Sequence, residues 1–224
     1  MRPIPSRFLA LALLLAASAC SSGPTADQHR AASTSTTSSS TSSTTTTDPG
    51  LLPQTDAFPS ADTPQFAAEM AALWAGVVQG SSGPALASFF PERAYLQVKT
   101  VADPAADYQQ RLVGELSLDV AAAHALLGAD AASATLQTVR VPTPYAHWIP
   151  PGVCSNRVGY YEVANSRVVY VAHGQVRSFG IASLISWRGV WYVVHLGAIV
   201  RNGPGGEVDD PEVGPGSSAP SSSC

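Results

Sequence analysis

His195 closes a run of β-branched and aromatic residues, Val190-Trp191-Tyr192-Val193-Val194. Histidine titrates near neutral pH, so its surroundings decide whether it does chemistry. If Arg188-Gly189 is a two-residue hairpin turn, Trp187 faces Val190, Ile185 faces Tyr192, Ser183 faces Val194 and Ile181 faces Leu196. His195 then falls on the opposite face, with Ala182, Leu184, Ser186, Trp191 and Val193. A face mixing small and aromatic residues suits a concave pocket. His195, Trp191 and Tyr160 or Tyr161 would surround it, with Arg177 and Arg167 at its mouth for an anionic ligand, unless the two arginines simply lie on a solvated sheet face. There His195 would act as a base or orient a ligand. The plainer reading is a histidine satisfied at a strand end, because the pattern places no acid beside it.

Other reactive types are scattered. His124, His147 and His173 lack metal-ligand spacing, so no metal and no cofactor are expected. His124 is expected to face solvent, His173 to sit in a turn, and His147-Trp148 to cap a cavity from a Pro-rich loop. The sequence holds no Gly-x-Ser-x-Gly, no Ser-x-x-Lys and no phosphate-binding glycine loop, and no catalytic residue is assigned. Cys154 has only Arg157 near it in sequence, which is not a positioned base. In an oxidising compartment Cys154 and Cys224 are candidates for a disulfide.

Cys20 belongs to a different chemistry. Arg2 and Arg7 precede an uncharged apolar stretch at 8–17, which has the length of a signal-peptide core. Ala17-Ser18-Ala19 then leads to Cys20. Ala-x-Ala alone is an ordinary secretory cleavage site, which gives a secreted protein as the alternative. The stretch 15–20 also resembles the lipobox of bacterial lipoproteins, with Ala17 where leucine is commonest. That resemblance implies lipidation of Cys20 and anchoring at the extracytoplasmic face of the cell membrane. A diacylated cysteine supplies the two chains that stable anchoring needs. No other segment is expected to span a membrane.

Residues 33–47 are only Ser and Thr. Such a chain has no apolar surface to offset the entropy of ordering, so 20–61 is expected to be a disordered linker. It would extend over about 35 Å. Between 62 and 202 nine basic residues face nine acidic ones, so the surplus of four negative charges lies at Glu207, Asp209, Asp210 and Glu212. With no basic patch, nucleic acid is a poor partner. The acidic Gly/Pro/Ser tail, 203–224, is also expected to be disordered. The organisation is then a signal peptide at 1–19, the linker, one domain at 62–202, and the tail.

Within that domain Phe66, Met70, Leu73, Trp74 and Val77 recur at helical spacing, with Pro64 in the first turn. A short helix is expected at 84–90, a strand at 94–100, and a helix from 103 to 127 broken near Leu116-Ser117. A strand follows at 135–141. Four antiparallel strands then fill 158–200, with turns at Asn165-Ser166, His173-Gly174 and Arg188-Gly189. The fold class is α+β, with helices packed on a curved antiparallel sheet. This order of elements resembles the NTF2-like (cystatin-like) cone. The resemblance implies a pocket on the concave face and a homodimer through the outer sheet face. Stretches such as Trp148-Ile149-Pro150-Pro151-Gly152 and Phe179-Gly180-Ile181-Ala182 resemble an uncharacterised family of actinobacterial lipoproteins, for which no activity is implied. The functional expectation is a membrane-tethered, non-catalytic binding domain for an envelope protein or small ligand. The alternative is an NTF2-like pocket protein or enzyme.

Overall fold

A computed structural model describes residues 48–221. The cleavage site, Cys20, the Ser/Thr tract and Cys224 lie outside the described residues. The fold is α+β: helices on a six-stranded antiparallel sheet.

Helix α1 (Pro64–Gln79) starts where Thr63 caps it, accepting from the Phe66 amide at 3.1 Å. It ends at Gly80, whose left-handed backbone (φ 64°) terminates the helix. Phe66, Met70, Leu73 and Val77 form its buried stripe. Short α2 (Ser82–Ala85) follows and runs into a 3-10 turn, Leu86–Ser88.

The segment expected as a strand at 94–100 is instead helix α3 (Glu92–Val98). Pro91-Glu92 is a helix-opening pair, and Ala94, Tyr95 and Val98 bury one helical face. The next helix does not break at Leu116-Ser117. It runs through α4 (Pro104–Ala106), a π-helical stretch (Asp107–Leu112) and α5 (Val113–Leu127). Ser117 donates to the Val113 carbonyl at 2.9 Å, so the serine follows the helix rather than ending it. Contrary to expectation, Pro104–Asp130 is long and apolar enough to cross a membrane. Its Leu112, Leu116, Val120, Ala123 and Leu127 face is packed in the core, and its Asp119 is buried. Those contacts are those of a core helix.

The sheet is built around one long hairpin, β3 (Tyr160–Ala172) and β4 (Gln175–Trp187). Strand β3 passes straight through Asn165-Ser166, where a turn was expected; Asn165 takes a left-handed φ of 55° without ending the strand. Short strands share the two outer edges of the hairpin. On β3 these are β1 (Thr135–Arg140) and β2 (His147–Ile149). On β4 they are β5 (Val190–His195) and β6 (Asp209–Val213).

Strand β6 overturns the expected disordered tail. Backbone pairing to β4 and side-chain ion pairs order residues that composition alone marks as coil. The linker boundary also moves. Residues 48–61 are seated on the domain: the Trp187 indole donates to the Pro49 carbonyl at 2.8 Å, and Gln54 accepts from the Arg188 amide at 2.6 Å. Gly50 and Pro59 are the buried residues of that segment, and Phe58 lays its ring against Tyr161.

Candidate functional site

The β4–β5 hairpin follows the expected register from Trp187↔Val190 to Ile185↔Tyr192 and then slips. Leu184 pairs with Val193, but Ser183 pairs with His195, so Val194 is the extra residue of a bulge. A one-residue slip moves a side chain to the other face. His195 therefore leaves the face it was assigned with Ala182 and Trp191.

It enters a small polar cavity of about 80 Å³, where Tyr95 from α3, Lys99 just after that helix, Arg111, Tyr160 and Ile185 also meet. Its Nδ1 lies 3.6 Å from Glu115 Oε2 on α5. An acid thus does sit beside His195, contributed by a helix rather than by a neighbouring strand.

Glu115 belongs to a ladder of charges four residues apart on one helix: Asp107, Arg111, Glu115, Asp119. Arg111 grips Asp107 through two nitrogens, each at 2.7 Å. The Tyr95 hydroxyl donates to the same Asp107 carboxylate. Arg201 lies 3.7 Å from Glu115 and donates to both oxygens of Asp119, at 2.8 and 2.7 Å. Burial opposes ionisation of Glu115, but His195, Arg201 and Arg111 together hold its carboxyl below the usual value. Burial lowers the pKa of Lys99, whose ammonium donates to the Cys154 carbonyl at 3.0 Å. Around the cavity Arg111 is thus committed to Asp107, His195 lies beside Glu115, and Lys99 is held by a backbone carbonyl.

Next to it, Glu162 is fully buried. It accepts from the Ser183 hydroxyl at 3.3 Å and lies 3.5 Å from His147 Nε2. His147, expected to cap a cavity from a loop, is instead in β2, paired with Glu162.

Of the six residues expected in or at the mouth of a shared pocket, only His195 and Tyr160 line this cavity. Trp191 is fully buried in the core. Tyr161 packs edge-on against Trp148 and Phe58, with ring centroids 5.0 and 4.9 Å away. Arg177 lies on β4 between Tyr170 and Val213, remote from the cavity lining. His124 does not simply face solvent: its Nδ1 meets the Val77 carbonyl at 3.0 Å, joining α5 to α1. His173, in its expected turn, pairs with Asp130. Cys154 is disulfide-bonded, while Cys224, its expected partner, lies outside the described residues. Among the described residues no group of three or more His, Cys, Asp or Glu side chains is placed to hold a metal ion.

A far larger concavity than the one at His195 lies elsewhere. A groove of about 780 Å³ runs between edge strand β1 and the start of α1. Phe58, Phe66, Met70, Leu136 and Val139 give it apolar walls, and Arg140 stands at its side. Sequence reasoning missed it because its two walls are more than sixty residues apart and neither carries a motif. The missed acids Glu115 and Asp119 had a signal, the four-residue charge spacing along the helix.

Compared with protein families, curated proteins and solved structures, the chain shows no significant match.

Proposed function

We propose that this chain is a bacterial envelope lipoprotein, held at the extracytoplasmic face of the cell membrane by lipid on Cys20. Its domain binds a partner or ligand without catalysis. The tether rests on the signal-like stretch and the small residues before Cys20. The binding role is carried by one observation, the open groove of mixed polar and apolar lining between β1 and α1, whose volume suits a drug-sized ligand or an inserted side-chain cluster. The polar cavity at His195 has room for only a few heavy atoms, and Arg111 and His195 in its wall already have acids beside them. For the fold we propose an NTF2-like cone, supported by helices lying against a sheet whose long central hairpin carries short strands on both edges. In that cone the ligand site would be the groove rather than the polar cavity.

Three measurements bear on this. Cys20→Ser is expected to move the protein from the membrane to the soluble fraction; retention in the membrane would remove the tether. Peptide mapping without reduction is expected to join Cys154 to Cys224. A Cys154–Cys20 bridge would exclude lipid on that sulfur, because one thiol cannot carry both bonds. Native mass spectrometry after soaking with fatty acids or other small apolar ligands should show adducts, and Met70→Trp, which fills the groove, should abolish them. Adducts that survive in a folded Met70→Trp variant would place the ligand elsewhere.

A further inference from the structure

Strand β5 covers β4 only from Ser183 to Trp187, which leaves the earlier half of that edge open. The chain's own C-terminal segment fills it: Gly180 pairs with Asp209, Ser178 with Glu212 and Arg177 with Val213. The segment then crosses the sheet face. Arg140 donates to the Gly216 carbonyl at 2.7 Å, and Asn165 donates to the Ala219 carbonyl at 3.0 Å. Beneath it lies Arg167, 1% exposed, with Asp210 at 3.2 Å and Glu212 at 3.1 Å. The strap is acidic where the face is cationic, and it carries three of the four acids that make up the charge surplus of the chain.

Its fit as a strand is imperfect. The ladder is irregular between Ser178 and Gly180. Asp210 is held at a left-handed φ of 39°, which costs energy in a non-glycine residue. Pro211 has no amide to donate. Asp209 is wedged against Gly180, where a single added Cβ would collide with its carboxylate, and its buried Oδ2 has no hydrogen-bond partner. The two carboxylates on Arg167 are partly solvated, with side chains 68% and 34% exposed. Immediately upstream, by contrast, residues 197–207 are clamped to Asp119, so the strap can lift without dragging the core with it.

We propose that this face, from the β4 edge across Arg167 to Arg140, is a docking site for an acidic extended protein segment that adds as a strand, and that residues 209–219 are a releasable cis occupant that keeps it closed. Main-chain pairing supplies the affinity in such sites, and the arginines select acidic side chains. The cis segment competes through its high effective concentration. A partner must therefore either carry a better-fitting strand or meet a loosened strap.

The test uses the full chain and a synthetic, fluorescently labelled peptide with the sequence of residues 207–221. Asp210→Asn with Glu212→Gln weakens the cis contacts and leaves Arg167 in place. This variant is expected to bind the peptide at least tenfold more tightly than the unaltered chain, with the gain lost at high salt and with a peptide whose acids are replaced by amides. In hydrogen exchange on the unaltered chain, amides 209–214 should exchange well ahead of the central β3–β4 amides. Strap amides protected to the same degree as that hairpin would overturn the proposal, since they would open only with the whole fold. So would a folded variant that binds no peptide. A dimer with reciprocally exchanged straps would likewise overturn it, by assigning the face to a second copy of the chain.

Discussion

Two arginines hold the C-terminal part of this chain, and they hold it differently. Arg201 meets Asp119, whose carboxylate collects four hydrogen bonds: two from the guanidinium and one each from the Gly197 and Glu207 amides. Every strong acceptor direction is used, and the pair ties α5 to the segment that follows β5. Gly206 fits there because its backbone lies against the Leu118 carbonyl, where a side chain would collide. Arg167 is more deeply buried than Arg201, yet the acids it meets are partly in water, and the acid nearest the sheet, Asp209, has an orphaned oxygen. The first cluster behaves as an anchor and the second as a latch. What separates them is how many donors each carboxylate gathers once it has left water.

The sharpest way to break this contrast is at Asp119. Asp119→Ala strands Arg201 and frees two amides at once, so a loss of about 3–5 kcal/mol is expected in urea unfolding. A loss below about 1 kcal/mol would mean that the four bonds do not act as an anchor, and the distinction from Arg167 would fail.

Glu69 gives a second, intermediate measure of what a poorly served carboxylate costs. It lies on the buried stripe of α1 and accepts from Gln65 at 2.9 Å, and its Oε2 has no hydrogen-bond partner. Burial raises its pKa to about 7 from 4.5, partly opposed by the Gln65 bond. The folded chain therefore keeps a proton that the unfolded chain releases between those values. Stability from this group is complete below pH 4.5 and drains away as pH rises to 7. Glu69→Gln should stabilise the domain by about 1–3 kcal/mol at pH 8 and change little at pH 4.5. An equal effect at both pH values would show that the charge is not the cause.

Much of this was legible in the chain. Thr63-Pro64, the Phe66–Val77 stripe and the Arg188-Gly189 turn are local signals, and each element stands where they place it. Helix α3 is not legible in the same way, because a run as short as 92–98 does not separate a helical period from a strand's. The bulge at Val194 leaves no mark in composition, yet it decides which face His195 serves. The tail was misjudged for a related reason. Asp209-Asp210-Pro211-Glu212 reads as coil until the buried Arg167 and the open β4 edge are known, and both are tertiary facts. Glu115 and Asp119 differ from these, because their spacing was visible and simply not used.

The smallest expected effect probes the latch itself. Asp209 is forced by burial, and by the neighbouring charge of Asp210, to hold its proton above the ordinary value near 3.8, while Arg167 pulls the other way. At neutral pH the strap carries a buried negative charge that nothing fully compensates. Asp209→Asn keeps the shape beside Gly180 and removes that charge. It should slow exchange of the 209–214 amides at pH 7 by a few-fold, an effect of well under about 1 kcal/mol on global unfolding because the strap opens on its own. The gain should shrink as pH falls towards 3.8, where the unaltered side chain is also protonated. If Asp209→Asn instead loosened the strap at neutral pH, attraction between Asp209 and Arg167 would outweigh the desolvation. Arg167 would then resemble Arg201: an anchor whose acids are fully engaged, and a poor site for any competing strand.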